Sequence, residues 1–114
     1  MTRTPQDCFS SHSDALNAGD LPRILEDYTE DAVLITQDGV FEGREAIGGF
    51  MSAALSALPG VTFTFGTATF AGDALLLRWT AASPQGRIDD GVDTFVFVDG
   101  MIRLQTVSFS VAAA

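Results

Sequence analysis

The chain has 114 residues, 15 acidic and 6 basic side chains and a formal charge of −9, and every cation is an arginine. One domain with one core fits that length, 46% apolar residues exclude a disordered chain, and the acidic balance argues against nucleic acid as a partner. There is no basic amphipathic helix and no apolar run near the ~20 residues that span a bilayer, so no membrane partner is expected.

Residues 5–18 read as a first helix, with Phe9, His12, Ala15 and Leu16 on one stripe. Gly19 suits the position just past a helix end, Asp20 can cap the next helix, and Pro22 fits its first turn. The second helix is expected over residues 21–28, with Ile24, Leu25 and Tyr28 turned inward. Ala32 to Thr36 reads as a short strand, Asp38-Gly39 as a hairpin turn and Val40 to Glu42 as the returning strand. Gly43 opens a third helix that runs to about Leu58, with Ile47, Phe50, Met51, Ala54, Leu55 and Leu58 at helical spacing. After Gly60 the period becomes two. Val61–Phe70, Ala74–Ala82, Ile88–Val98 and Ile102–Val111 read as strands, and Ala112 to Ala114 as a frayed end. Helices followed by consecutive hairpins imply an α+β fold with a mostly antiparallel sheet in a single domain, residues 1–114. The late strands are apolar on both faces, with Leu75, Leu77 and Trp79 opposite Leu76, Arg78 and Thr80. Helices can cover only one face, so a homodimer through the other is expected. Met1 to Pro5 lacks the apolar core of a signal peptide, and one cysteine, Cys8, cannot form an internal disulfide. Both readings point to the cytoplasm.

Three segments, Leu16-Asn17-Ala18-Gly19-Asp20, Phe41 to Ile47 and Asp93 to Gly100, together resemble the nuclear transport factor 2-like superfamily. That group includes ketosteroid isomerases, scytalone dehydratases and the SnoaL-like polyketide cyclases, and the cyclases resemble this chain better than the isomerases do in length and in the Arg78-Trp79-Thr80 strand. The resemblance implies a curved sheet wrapped around three helices with an internal pocket, and a homodimer through the sheet. Laid on this chain, the ketosteroid isomerase pattern puts its protonated oxyanion-hole aspartate at Asp93, its general base at Thr36 and its helix-one tyrosine at His12. Threonine takes no proton at neutral pH, so steroid isomerisation by that route is not expected.

Asp93 is the first candidate for acid–base work. Strand alternation puts it on one face with Phe95 and Phe97, where desolvation raises a carboxyl pKa. The alternative is a solvated aspartate, or one paired with Arg78 or Arg103. His12, the one histidine, faces inward and is a possible partner for Asp93 or a core histidine bonded to a carbonyl or Tyr28. Cys8 precedes His12 by four residues on the same helical face and reads as a structural thiol, because nothing in the sequence supplies a thiolate site or oxyanion donors. Thr36, Arg78, Thr80 and Gln105 are the polar candidates for substrate binding. Phe50, Met51, Leu55, Phe95, Val107 and Phe109 are the candidates for the walls. No metal-ligand spacing and no phosphate-cradling glycine motif occurs, so neither metal nor cofactor is expected. The expectation is a pocket for a small apolar or polyketide-like molecule, served by a cofactor-free isomerase, cyclase or lyase with an aspartate acid–base. A non-catalytic binding or dimerisation domain is the alternative.

Overall fold

Thr4 starts the first helix by accepting from the Asp7 amide, while the Asp7 carboxylate accepts from the Thr4 amide, a closed capping box. The helix α1 (Pro5–Ala18) stops at Gly19, whose φ of 64° is open to glycine, and the next amides turn back to the Ala15 and Leu16 carbonyls. Asp20 then caps α2 (Leu21–Glu26). The computed structural model describes residues 3–114; Met1 and Thr2, the head of the segment read as lacking a leader, lie outside the described residues. The remaining elements are β1 (Tyr28–Thr36), β2 (Gly39–Glu42), α3 (Gly43–Ala57), β3 (Thr62–Ala71), β4 (Ala74–Ser83), β5 (Gly86–Val98) and β6 (Met101–Ser108).

The six strands form one curved, unclosed sheet in the order β2-β1-β6-β5-β4-β3. All neighbours are antiparallel except β1 and β6. The expected α+β class and its three helices are therefore present. Register shifts inside β3 (between Phe65 and Ala68) and β4 (between Trp79 and Ala81) bend the long strands. The helices pack on one face, and the core forms there around Ile24, Leu34, Ile47, Leu75, Leu77, Phe95 and Phe97. Asn17 fixes α1 to β3: its amide oxygen accepts from the Phe63 amide at 2.8 Å and its nitrogen donates to the Phe63 carbonyl at 3.2 Å.

Several boundaries depart from the sequence reading: β1 begins at Tyr28 and not Ala32, and β5 at Gly86 and not Ile88. Helix α2 ends at Glu26, and Tyr28 is the first residue of β1, still fully buried. The Arg44 guanidinium binds the Tyr28 carbonyl twice, which holds this irregular start of β1. Strand β6 ends at Ser108, not Val111. The tail is not frayed at Ala112, which exchanges backbone hydrogen bonds with Arg87 at 2.8 and 2.9 Å.

Leu34 is fully buried where β1 packs on α3. Leu34→Ala should lower the unfolding free energy by about 2–5 kcal/mol in urea denaturation. Val40, 59% exposed on edge strand β2, should tolerate alanine within roughly 0.5 kcal/mol.

Candidate active site

Between the sheet and the helices lies a cavity of about 390 Å³. Its walls are aromatic and aliphatic, with Phe9 and Leu16 from α1, Phe50, Met51 and Leu55 from α3, and Phe63, Phe65, Phe95, Val107 and Phe109 from the sheet side. Few polar side chains reach it: His12, Asp93, Gln105, the indole edge of Trp79 and, from the exposed β1–β2 turn, Asp38.

Strand pairing puts Asp93 in this cavity. Leu77, Asp93, Val107 and Thr36 form one cross-sheet row on the inner face. Asp93 is only 5% exposed. Each of its oxygens takes one hydrogen bond: Oδ1 accepts from Trp79 Nε1 at 2.6 Å, and Oδ2 accepts from Gln105 Nε2 at 2.7 Å. The Gln105 amide is oriented in turn by the Tyr28 hydroxyl, which donates to its Oε1 at 2.5 Å. Burial pushes the Asp93 carboxyl up to about 6, with the two hydrogen bonds pulling the other way. No arginine reaches it: the Arg103 guanidinium lies 3.6 Å from Asp31, and Arg78 is on the other face. The paired, solvated alternative therefore does not hold.

His12 faces Asp93's cavity from the helix side. Its Nδ1 lies 3.1 Å from Asp27 Oδ2, and Asp27 Oδ1 accepts from Arg3 at 2.9 Å. Burial alone would raise the Asp27 carboxyl, but the hydrogen bonds from His12 and Arg3 outweigh it and hold it below the usual range. An ionised carboxylate only accepts, so Nδ1 carries the hydrogen; in the neutral ring the lone pair is then on Nε2. Nε2 is buried and has no partner among the described residues. The ring is held edge-on between Tyr28 and Phe95, with centroids at 5.4 and 6.1 Å. Cys8 is buried beside this group, and its thiol, pushed up to about 11 by burial and the Asp27 charge, stays protonated. That fits the structural thiol and not a nucleophile.

The cavity brings together nine of the anticipated residues: His12, Phe50, Met51, Leu55, Asp93, Phe95, Gln105, Val107 and Phe109. Three are corrected. Arg78 and Thr80 alternate with the inward Leu77 and Trp79, so they are exposed on the outer face. Thr36 shares the inner row of Asp93 but sits two strands away, and its hydroxyl is spent on the β1–β2 turn, accepting from the Asp38 amide and donating to the Gly39 carbonyl. Sequence reasoning missed Asp27, Trp79 and Tyr28 as site groups. Asp27 had a usable signal: an acid at a helix C-terminus opposes the helix dipole and calls for a cationic partner. Counting back across the Pro84-Gln85 turn would set Trp79 opposite Asp90; the register shift between Trp79 and Ala81 pairs it instead with Gly91, two residues before Asp93, so the sequence carried no direct signal for it. Among the described residues, no three His, Cys, Asp or Glu side chains group as metal ligands, and no helix is long and apolar enough to cross a membrane.

The family model for the SnoaL-like domain matches residues 9–105, and the chain belongs to that family. No curated protein is significantly similar in sequence. Among solved structures, the epoxide hydrolase/cyclase-like enzyme SalBIII, with a role in pyran ring formation in the polyether salinomycin, superposes with a TM-score of 0.82 at 21% identity over 96% of this chain and 95% of its own. A loop-truncation variant of IdmH gives 0.83 at 21% identity, covering 94% of this chain and 93% of that one. An NTF2-like protein of unknown function from Cytophaga hutchinsonii gives 0.80 at 17% identity, covering 96% and 93%. At these identities the likeness concerns the fold.

The folded chain keeps the Asp93 proton to about pH 6, whereas an ordinary aspartate releases it near 3.8. Stability from this group is therefore full below the lower value and lost as pH rises to the higher one. Asp93→Asn removes that loss. Relative to the parent it should gain up to roughly 3 kcal/mol between about pH 4 and about pH 7, at about 1.36 kcal/mol per unit. Urea unfolding of both proteins at the two pH values reads the difference, and an unchanged difference contradicts a buried, proton-holding Asp93.

Proposed function

We propose that this SnoaL-like chain binds a small, mostly apolar molecule, of polyketide-like character, in the cavity and transfers protons on it without a cofactor, as an isomerase, cyclase or lyase. One observation carries this: a buried carboxyl and a buried, unpartnered imidazole nitrogen share an otherwise apolar cavity, and each is held from behind by a hydrogen-bonded group. Neutral Asp93 is the acid, giving its proton to a substrate oxygen. His12 Nε2 is the base, taking a proton from carbon or from a hydroxyl. Asp27 stabilises the imidazolium that results. The apolar walls exclude water and strengthen both interactions. The structurally similar SalBIII is an epoxide hydrolase/cyclase-like enzyme with a role in pyran ring formation, which supports the cyclase form of this reading.

A panel of small ketones, epoxides and polyketide-like compounds tests this. For any compound turned over, Asp93→Asn and His12→Ala should each lower kcat by about 10²–10⁴, and kcat/KM should fall as pH rises through about 6. Compounds that bind in the cavity without turnover across the panel would favour a non-catalytic ligand-binding domain.

We also assign the outer face of the sheet to a second copy of this chain. Two cross-sheet rows, Ala74-Val96-Leu104-Val33 and Leu76-Thr94-Thr106-Ile35, present apolar and threonine side chains there. Leu76 is 47% and Ile35 41% exposed, and no helix packs on this face. Light scattering should give twice the monomer mass for the parent and the monomer mass for Leu76→Arg; a monomeric parent would contradict the assignment. The buried, unpaired cysteine suits a reducing compartment, and we place the chain in the cytoplasm.

A further inference from the structure

We propose that Gly91 is a positioning residue for Asp93: its missing side chain leaves the slot in which the Trp79 indole lies across β5 and delivers its Nε1–H to the carboxyl. Trp79 and Gly91 are cross-strand partners, so their inner faces coincide, and Asp93 follows two residues further along that face. A Cβ at Gly91 would lie 2.3 Å from the indole Cδ2 and Cε2 and 2.8 Å from Cζ2. No side chain larger than hydrogen fits while the ring stays where it is. The backbone does not demand glycine here, because Gly91 is not among the positive-φ residues. Space for the ring is what the position supplies.

The ring is fixed on its other sides as well. Phe63 and Phe109 pack against it with centroids at 5.7 and 5.9 Å. With the slot open and the flanks filled, the indole N–H has one direction left, and it meets Asp93 Oδ1 at 2.6 Å. A wider residue at position 91 would tip the ring out of the slot and take the donor away from Asp93, leaving one carboxyl oxygen buried without its partner. Gly91 thus acts on Asp93 through Trp79, without touching a substrate itself. The catalytic meaning of this unit rests on the acid–base role proposed for Asp93, but the geometry can be read without any substrate.

The chain has one tryptophan, so a ¹⁵N-labelled sample shows one indole N–H resonance. In the parent that resonance should move with pH at the midpoint of the Asp93 carboxyl, about 6. In Gly91→Ala it should shift and lose that pH dependence, while Trp79→Phe should move the Asp93 ¹³C carboxyl midpoint upward. An indole that keeps its parental shift and titration in Gly91→Ala overturns the proposal. If Gly91→Ala disrupts folding, the Trp79→Leu background decides. There the same glycine substitution should be tolerated, because the ring it collides with is gone. Equal damage in both backgrounds would mean that the glycine serves the backbone, and would overturn the proposal. An Asp93 that titrates near 6 beside an indole that does not would refute this unit alone. An Asp93 with an ordinary midpoint would instead refute the proposed catalytic role.

Discussion

A carboxyl in the middle of an apolar sheet face must be neutral or fully hydrogen-bonded, and Asp93 uses both routes. Its proton is retained to about pH 6 by burial, and when the proton leaves, Trp79 and Gln105 each hold one oxygen. The rest of the sheet side is arranged around that requirement. Tyr28 orients the Gln105 amide, and Gly91 leaves room for the indole. The irregular start of β1, held by Arg44, puts Tyr28 at the strand pair where it can reach Gln105. These contacts stabilise the fold less than an all-apolar face would. What they produce is a titratable group aimed into an apolar cavity.

The helix side answers with the opposite electrostatics. Asp27 is as buried as Asp93, yet hydrogen bonds from His12 and Arg3 hold its carboxyl below the usual range, whereas burial pushes that of Asp93 up to about 6. Two carboxyls with environments that push them apart, one on the sheet and one behind a histidine, are the basis for the proton donor and proton acceptor of the proposed mechanism. The division follows the layers of the fold. Strand alternation turns Asp93 inward from β5, and the αα turn around Gly19 brings Asp27 back beside His12 on α1.

Much of this was legible in the amino-acid sequence, because period-two and period-3.6 patterns report which side of an element is covered. They located the helices and hairpins, and they put Asp93, Phe95 and Gln105 inward. What they do not report is which sheet face the helices cover. Arg78 and Thr80 were assigned to the pocket for that reason, although their alternation with Trp79 already placed the two sets on opposite faces. Thr36 fails differently: its face is inward, but its hydroxyl belongs to the turn. The helix-end position of Asp27 hinted at a cationic partner, but neither that partner, 15 residues away, nor the Trp79–Asp93 contact across 14 residues is encoded in a local pattern. The end of α2 was set too late because Tyr28, buried in either reading, fits a helix stripe as well as a strand start.

The most direct test of the account is the ¹³C carboxyl titration of Asp93 in the intact protein. A midpoint near 6 is the result the structure predicts, well above an ordinary aspartate near 3.8. A midpoint at or below the ordinary value would mean a solvated or ion-paired carboxylate, and would contradict Asp93 as the proton donor of the cavity.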